Sequence, residues 1–172
     1  MLKIKPPNYQ FCPFCGRKLE DRVEEQKRRK YCASCRWTYY PKEGASAGAV
    51  IVRGGKVLMV KRSREPYKDT WCFPAGFTDF GEHPLEALAR EVKEETGLKV
   101  KKAEFIDVLQ ATDDPRNPGH FVFFYRVQAS GKSLKTDKME NSAVQWKEIK
   151  RPPKLGWKSH QSIFRLLQKE LK

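Results

Sequence analysis

Apolar and polar positions change period several times along the chain, and each change marks an element. Residues 45–52 are small and β-branched, Gly54-Gly55 is a hairpin signal and residues 56–61 alternate, so two paired strands are expected there. A short strand over 70–73 leads into Pro74-Ala75-Gly76 and then an acidic, glycine-containing loop ending at Gly81-Glu82. His83-Pro84 opens a helix with Pro84 at its first position, and Gly97 stops it after Thr96. Strands return over 100–110 and 120–129, separated by the turn-forming stretch 112–119, a candidate substrate lip. A last strand over 144–149 precedes Arg151-Pro152-Pro153, and Ile163, Leu166 and Leu167 give residues 159–169 helical spacing.

Nothing before residue 44 has such periodicity. Residues 20–30 are almost entirely polar, so the roughly thirty residues around them cannot bury a core. Their cysteines supply another route to folding. Cys12 and Cys15 form one C-x2-C pair, Cys32 and Cys35 a second, with sixteen residues between the pairs. Each pair puts two thiolates on a tight knuckle, and the intervening segment is long enough for a hairpin that closes both knuckles on one tetrahedral Zn²⁺. Two disulfides or a thioredoxin-type redox pair fit this pattern less well. Four sulfur ligands leave no open position, so the zinc is structural. The expected division is a zinc ribbon over 9–41 and a second domain over 44–170. Cys72, between Trp71 and Phe73, reads as a small buried hydrophobe.

With 172 residues, 39% of them hydrophobic and 33% charged, the chain can pack a core beneath a solvated surface. It has no apolar run long enough to span a membrane, and residues 1–7 carry Lys3 and Lys5 without a signal-type apolar stretch. A cytoplasmic protein with no membrane partner is expected. Lysine and arginine number 35 against 21 acids, a net charge of +14. That surplus suits polyanionic partners such as nucleotides or RNA, but it equally serves solubility.

The helix over 84–96 is built against its own stability. Leu85, Leu88, Ala89 and Val92 fall on one apolar arc, and Glu91, Glu94 and Glu95 cluster on the adjacent one. Carboxylates three and four residues apart repel by roughly a few tenths of a kcal/mol per pair, and these lie where the helix dipole also disfavours them. A divalent cation against that arc reverses the account, because Mg²⁺ prefers hard oxygen ligands.

From Gly76 the chain runs five residues to Glu82, then seven to Arg90-Glu91-Val92-Lys93-Glu94-Glu95-Thr96-Gly97-Leu98. This resembles a complete Nudix box, and the similarity extends over roughly residues 45–167. The resemblance implies an α/β fold, an α/β/α sandwich with a mixed sheet, here preceded by the zinc ribbon. It also implies that Glu91, Glu94 and Glu95, with Gly76, hold Mg²⁺ or Mn²⁺, that Arg90 orients the acids, and that Glu82 braces the loop.

The reaction so implied is attack of water on a phosphorus of a nucleoside diphosphate derivative. A box glutamate is the first choice of base, with Asp113, Asp114 and Glu140 as alternatives. Arg53, Lys61, Arg62 and Arg64 are candidate contacts for phosphate or ribose, Arg62 and Arg64 foremost, with Asp114 beside them. Trp71 and Phe73 are candidates for stacking on a base, Trp71 foremost. A zinc ribbon on a Nudix domain resembles the NADH diphosphatase group, and Tyr40-Pro41-Lys42 fits it. That group's Ser-Gln-Pro-Trp-Pro-Phe-Pro element is absent from residues 104–118, where Asp113-Asp114-Pro115-Arg116-Asn117-Pro118-Gly119-His120 instead resembles the loop of ADP-ribose diphosphatases. ADP-ribose is the leading substrate expectation. NADH, an RNA 5′ cap, and a purely nucleic-acid-binding module are the alternatives, and a homodimer stays open.

Overall fold

The computed structural model describes residues 8–131, 134–136 and 139–171. Lys3 and Lys5 lie outside them. The chain divides into two compact units, one ending at Lys42 and the other starting at Glu43.

In the first unit, β1 (Glu20–Glu24), β2 (Lys27–Cys32) and β3 (Trp37–Tyr39) form an antiparallel sheet. Glu25 and Gln26, both at positive φ, make the two-residue turn that suits the right-handed twist of the β1–β2 hairpin. Its buried apolar cluster is only Cys12, Leu19 and Cys32, with Trp37 packed against them.

The second unit runs β4 (Ala45–Val50), β5 (Val52–Arg53), β6 (Lys56–Arg62), β7 (Trp71–Cys72), β8 (Ala75–Phe77), α1 (Pro84–Thr96), β9 (Lys99–Gln110), β10 (Phe121–Ser130), β11 (Asn141–Glu148) and α2 (Lys158–Glu170). One sheet has the order β8-β4-β10-β9 and is mixed, β4 lying parallel to β10 and the other pairs antiparallel. The other sheet is antiparallel, in the order β11-β6-β5, with β7 also on β6.

Period-two alternation gives each sheet two apolar faces. Ala47, Ala49, Leu58, Tyr125 and Val127 pack with Ala87, Leu88 and Val92 of α1. Val50, Val57, Met59, Val122 and Phe124 pack with Ile163, Phe164 and Leu167 of α2. The product is the expected α/β/α sandwich. No described helix is long and apolar enough to cross a membrane.

The ends of α1 follow the sequence. Leu85 N–H donates to His83 Nδ1 and His83 N–H to Glu86 Oε2, a reciprocal box that satisfies two end donors. Gly97, at φ 74°, takes the left-handed cap. Two expectations shift. The first strand breaks after Val50 and resumes at Val52. Pro74-Ala75-Gly76, assigned to no element and expected to lead straight into the loop, instead feeds β8, where Ala47 pairs with Gly76; the pairing is set by tertiary context.

The two layers of the unit also meet through His160, 5% exposed, whose Nδ1 accepts the Phe73 N–H at 3.1 Å. Burial, helped by Arg62, pushes its pKa down to about 3. The unfolded chain takes up this proton near pH 6.5 and the folded chain does not, so this contribution to stability is complete above 6.5 and is lost as pH falls toward 3. His160→Asn keeps an acceptor but cannot titrate. Between pH 7.5 and 5.5, denaturant unfolding should show wild type losing about 1.4 kcal/mol relative to this variant. A pH-independent difference would mean that His160 protonates freely in the fold.

Candidate active site

The glutamate arc of α1 lies beside β8, and bare backbone makes the approach possible. A Cβ built on Gly76 would stand 1.8 Å from Glu91 Oε1. Glu95, one turn on, is 5% exposed and accepts the Ala75 N–H at 2.9 Å and Asn141 Nδ2 at 2.7 Å. Burial raises the pKa of both acids, that of Glu95 to about 8; at Glu91 the neighbouring Arg90 pulls the other way. Such acids attract a cation that can replace lost hydration.

Arg90 ties this arrangement together. Its Nε and Nη2 each donate to Glu82 at 3.0 Å, Nη1 to Glu91 at 2.7 Å and Glu94 at 3.2 Å, and Nη2 to the Phe77 carbonyl at 2.9 Å. Glu82 also accepts the Asp79 N–H at 2.9 Å, and its pKa is lowered, first by Arg90 and then by this N–H. Helix, loop and β8 are therefore held by one guanidinium.

A cleft of about 280 Å³ opens next to Gly76, Glu91 and Glu95. Its lining also holds Arg62, Arg64, Asp114 and Glu140, all singled out in the sequence. Glu94, with a side chain 53% exposed, is not in the lining.

The other candidates fall elsewhere. Trp71 carries Lys147 Nζ 3.8 Å from its ring centroid, and Phe73 is fully buried in the core; neither lines the cleft. Arg53 stacks on Trp146, and Lys61 pairs with Asp69 at 3.1 Å. Asp113 accepts from Tyr67 Oη and the Lys158 N–H, at 2.8 and 2.9 Å. Asp114 is bidentate with Arg116, at 3.0 and 2.7 Å. Burial opposes its ionisation, yet those bonds outweigh it and lower the pKa. Glu140 pairs with Arg64.

Among the lining residues not singled out as candidates are Asp79, Arg116, His120, Trp157, Ser159 and His160. The 112–119 stretch pointed to Arg116 as part of a lip, but nothing local marked the start of α2.

In the first unit, Cys12, Cys15, Cys32 and Cys35 hold their sulfurs within 4.8 Å of one another, and none is in a disulfide. Among the described residues no other group of three or more such side chains gathers this closely. Bonds of about 2.3 Å to a tetrahedral ion imply S···S separations near 3.8 Å. Cys12–Cys35 at 4.0 Å and Cys15–Cys32 at 3.6 Å fit such an ion.

An α/β/α sandwich that sets an acidic helix over a strand-and-loop cradle defines the Nudix class of domain, and residues 42–167 match the NUDIX domain family model. The chain belongs to the Nudix hydrolase family. An ADP-ribose pyrophosphatase from Methanocaldococcus jannaschii is 30% identical over 132 residues, 76% of each protein. A NAD-capped RNA hydrolase NudC from Stutzerimonas stutzeri is 26% identical over 159 residues, 92% of this chain, which spans only 54% of that protein. A Nudix hydrolase structure from Nitrosomonas europaea shares the fold, with a TM-score of 0.76 at 22% identity over 95% of this chain and 93% of the other.

If Gly76 exists to admit Glu91, its substitution should cost stability only while that side chain is present. Gly76→Ala is expected to lose about 1–3 kcal/mol in denaturant unfolding. In a Glu91→Ala background the same change should lose less than about 0.5 kcal/mol. Equal losses in the two backgrounds would remove Glu91 as the reason for the glycine.

Proposed function

We propose that the chain is a Mg²⁺-dependent hydrolase of the diphosphate bond in a nucleoside diphosphate derivative, with ADP-ribose the leading substrate. The observation that carries this reading is the Arg90 hub, which holds Glu82, Glu91 and Glu94 around the Gly76 cradle at one edge of the cleft.

Glu91, Glu94, Glu95 and the Gly76 backbone would hold Mg²⁺ or Mn²⁺. Bound there, the ion would neutralise phosphate oxygens and acidify a water. The residues' own work is to bind, orient and move a proton. Arg90 fixes the direction of Glu91 and Glu94. Glu91 and Glu95 lie in the cleft, which supports one of them as the proton acceptor. Asp113 lies outside the lining and Asp114 is buried and held bidentately by Arg116, so Glu140, whose pair with Arg64 is exposed, is the alternative that the geometry favours.

Two observations support ADP-ribose. The relative 30% identical over 76% of its length is named an ADP-ribose pyrophosphatase, and the 112–119 stretch puts Asp114 and Arg116 in the cleft wall. The NudC likeness, together with the cysteine ribbon, keeps NAD-capped RNA 5′ ends as a second reading.

Incubation with Mg²⁺ and ADP-ribose, NADH, nucleoside triphosphates, dinucleoside polyphosphates or capped RNA, with products separated by chromatography, should give AMP and ribose 5-phosphate from ADP-ribose at the highest kcat/KM. Glu94→Gln should lower kcat by about 10²-fold or more with the fold intact. Turnover of nothing in the panel, with salt-sensitive RNA binding, would turn the reading to a binding module.

For the ribbon we propose one structural Zn²⁺, since three buried residues with Trp37 cannot fold a unit of this size. Elemental analysis should find one zinc per chain, and Cys32→Ser should fall below half of that. Full zinc content in this variant would exclude the four-sulfur site.

A further inference from the structure

The cleft wall carries a positive charge that the protein does not balance. Four arginines line the cleft. Arg64 pairs with Glu140, Arg90 with Glu82, Glu91 and Glu94, and Arg116 with Asp114. Arg62 is the one cleft arginine with no carboxylate partner among the described residues. It is 5% exposed, its Nε donates to the Pro66 carbonyl at 2.7 Å, and its buried Nη2 has no partner.

Its surroundings increase the imbalance. The guanidinium carbon lies 4.6 Å from the centroid of the Trp157 ring, and that of Arg116 lies 5.6 Å from the same centroid. Two guanidiniums on one indole repel, and a buried cation without an anion is costly.

Two further donors are unsatisfied here. Trp157 Nε1 and Ser159 Oγ are buried without partners, in residues 6% and 5% exposed that also line the cleft. These residues begin α2, a helix of 13 residues whose N-cap Trp157 makes no side-chain cap bond. Asp113 takes the Lys158 N–H, while later N–H groups of the first turn have no intrahelical acceptor. A lone guanidinium, an indole N–H, a hydroxyl and a helix N-terminus are together a donor set for a compact anion rich in oxygen. Arg62 Nη2, Trp157 Nε1 and Ser159 Oγ are buried without partners, so a ligand in the cleft is the partner they await.

We propose that Arg62, Trp157 and Ser159, at the start of α2, form a phosphate-binding site that takes a phosphoryl group of the substrate and, after cleavage, of the product. Phosphate rather than carboxylate as the anion rests on the diphosphate reading above; the need for an anion does not. The glutamates and this wall then divide the work. The glutamates would recruit cations, and Arg62, Trp157 and Ser159 would grip phosphate directly.

The test uses the full-length, ¹⁵N-labelled protein without added divalent cation. Inorganic phosphate, pyrophosphate and acetate are titrated at constant ionic strength, and the indole N–H resonances are followed. Trp157→Phe assigns the relevant one among the four tryptophans. Phosphate and pyrophosphate should shift the Trp157 resonance saturably, and acetate should not. Arg62→Met should weaken that binding at least tenfold. Ser159→Ala should weaken it at least threefold, and it decides the matter should Arg62→Met fail to fold. An unmoved Trp157 resonance, acetate binding as tight as phosphate, or undiminished affinity in the variants would overturn the site. Turnover of a diphosphate with no phosphate-induced shift would remove this site and leave the hydrolase reading standing. Phosphate binding without turnover of any diphosphate would do the reverse.

Discussion

One guanidinium organises the edge of the cleft at Gly76 and Glu91. Arg90 leaves α1 and reaches the loop through Glu82, the sheet through the Phe77 carbonyl, and its own helix through Glu91 and Glu94. An exposed i,i+4 pair between Arg90 and Glu94 would be worth little by itself. The planar fork matters because it meets several acceptors at once, two of them in Glu82, and so fixes their separation. Loop and helix are neighbours in sequence, yet without this hub only the reciprocal box at His83 would set the angle between them. That angle decides whether Glu91 lands on Gly76.

The rest of the unit provides for groups that are poor neighbours by ordinary standards. Glu95 is buried and Glu91 half-buried against β8, and Arg62 is buried without a carboxylate partner among the described residues. Each arrangement disfavours the fold locally, and each is held by apolar packing on both sides, α1 on one face and α2 on the other. Glu95 has the Ala75 N–H and Asn141 as compensation, whereas Arg62 has a single carbonyl for its Nε. Strain of this kind belongs at a site where a ligand brings the missing charge.

The sequence displayed the acidic edge of the cleft because that edge is local. Gly76, Glu82, Arg90, Glu91 and Glu95 come from one strand-loop-helix segment, so their spacing carries their geometry. Both helices, the long β9 and β10, and the metal-ready cysteines were legible for the same reason, through periodicity and short spacings. The cluster of Arg62, Arg116 and Trp157 was not. Arg62 ends β6, Arg116 sits in the 112–119 stretch and Trp157 starts α2, and only tertiary folding stacks the three. Trp71 shows the converse. It was a candidate for stacking on a base but does not line the cleft, and it is Trp157, far along the chain, whose ring faces the cleft arginines. β8 was missed because three residues carry too little pattern to mark a strand.

The net charge of +14 also changes meaning once partners are assigned. At the cleft the balance runs the other way, with Asp79, Glu91, Glu95, Asp114 and Glu140 facing four arginines. A polyanion is not drawn into this cleft by surplus positive charge, because three of those arginines are already spoken for by acids. Specific recognition there depends on which charges remain uncompensated: in the reading proposed above, Glu91 and Glu95 would take a cation and Arg62 an anion. A metal-loaded diphosphate would answer both at once. The wider basic surface can raise its local concentration, but it cannot select it.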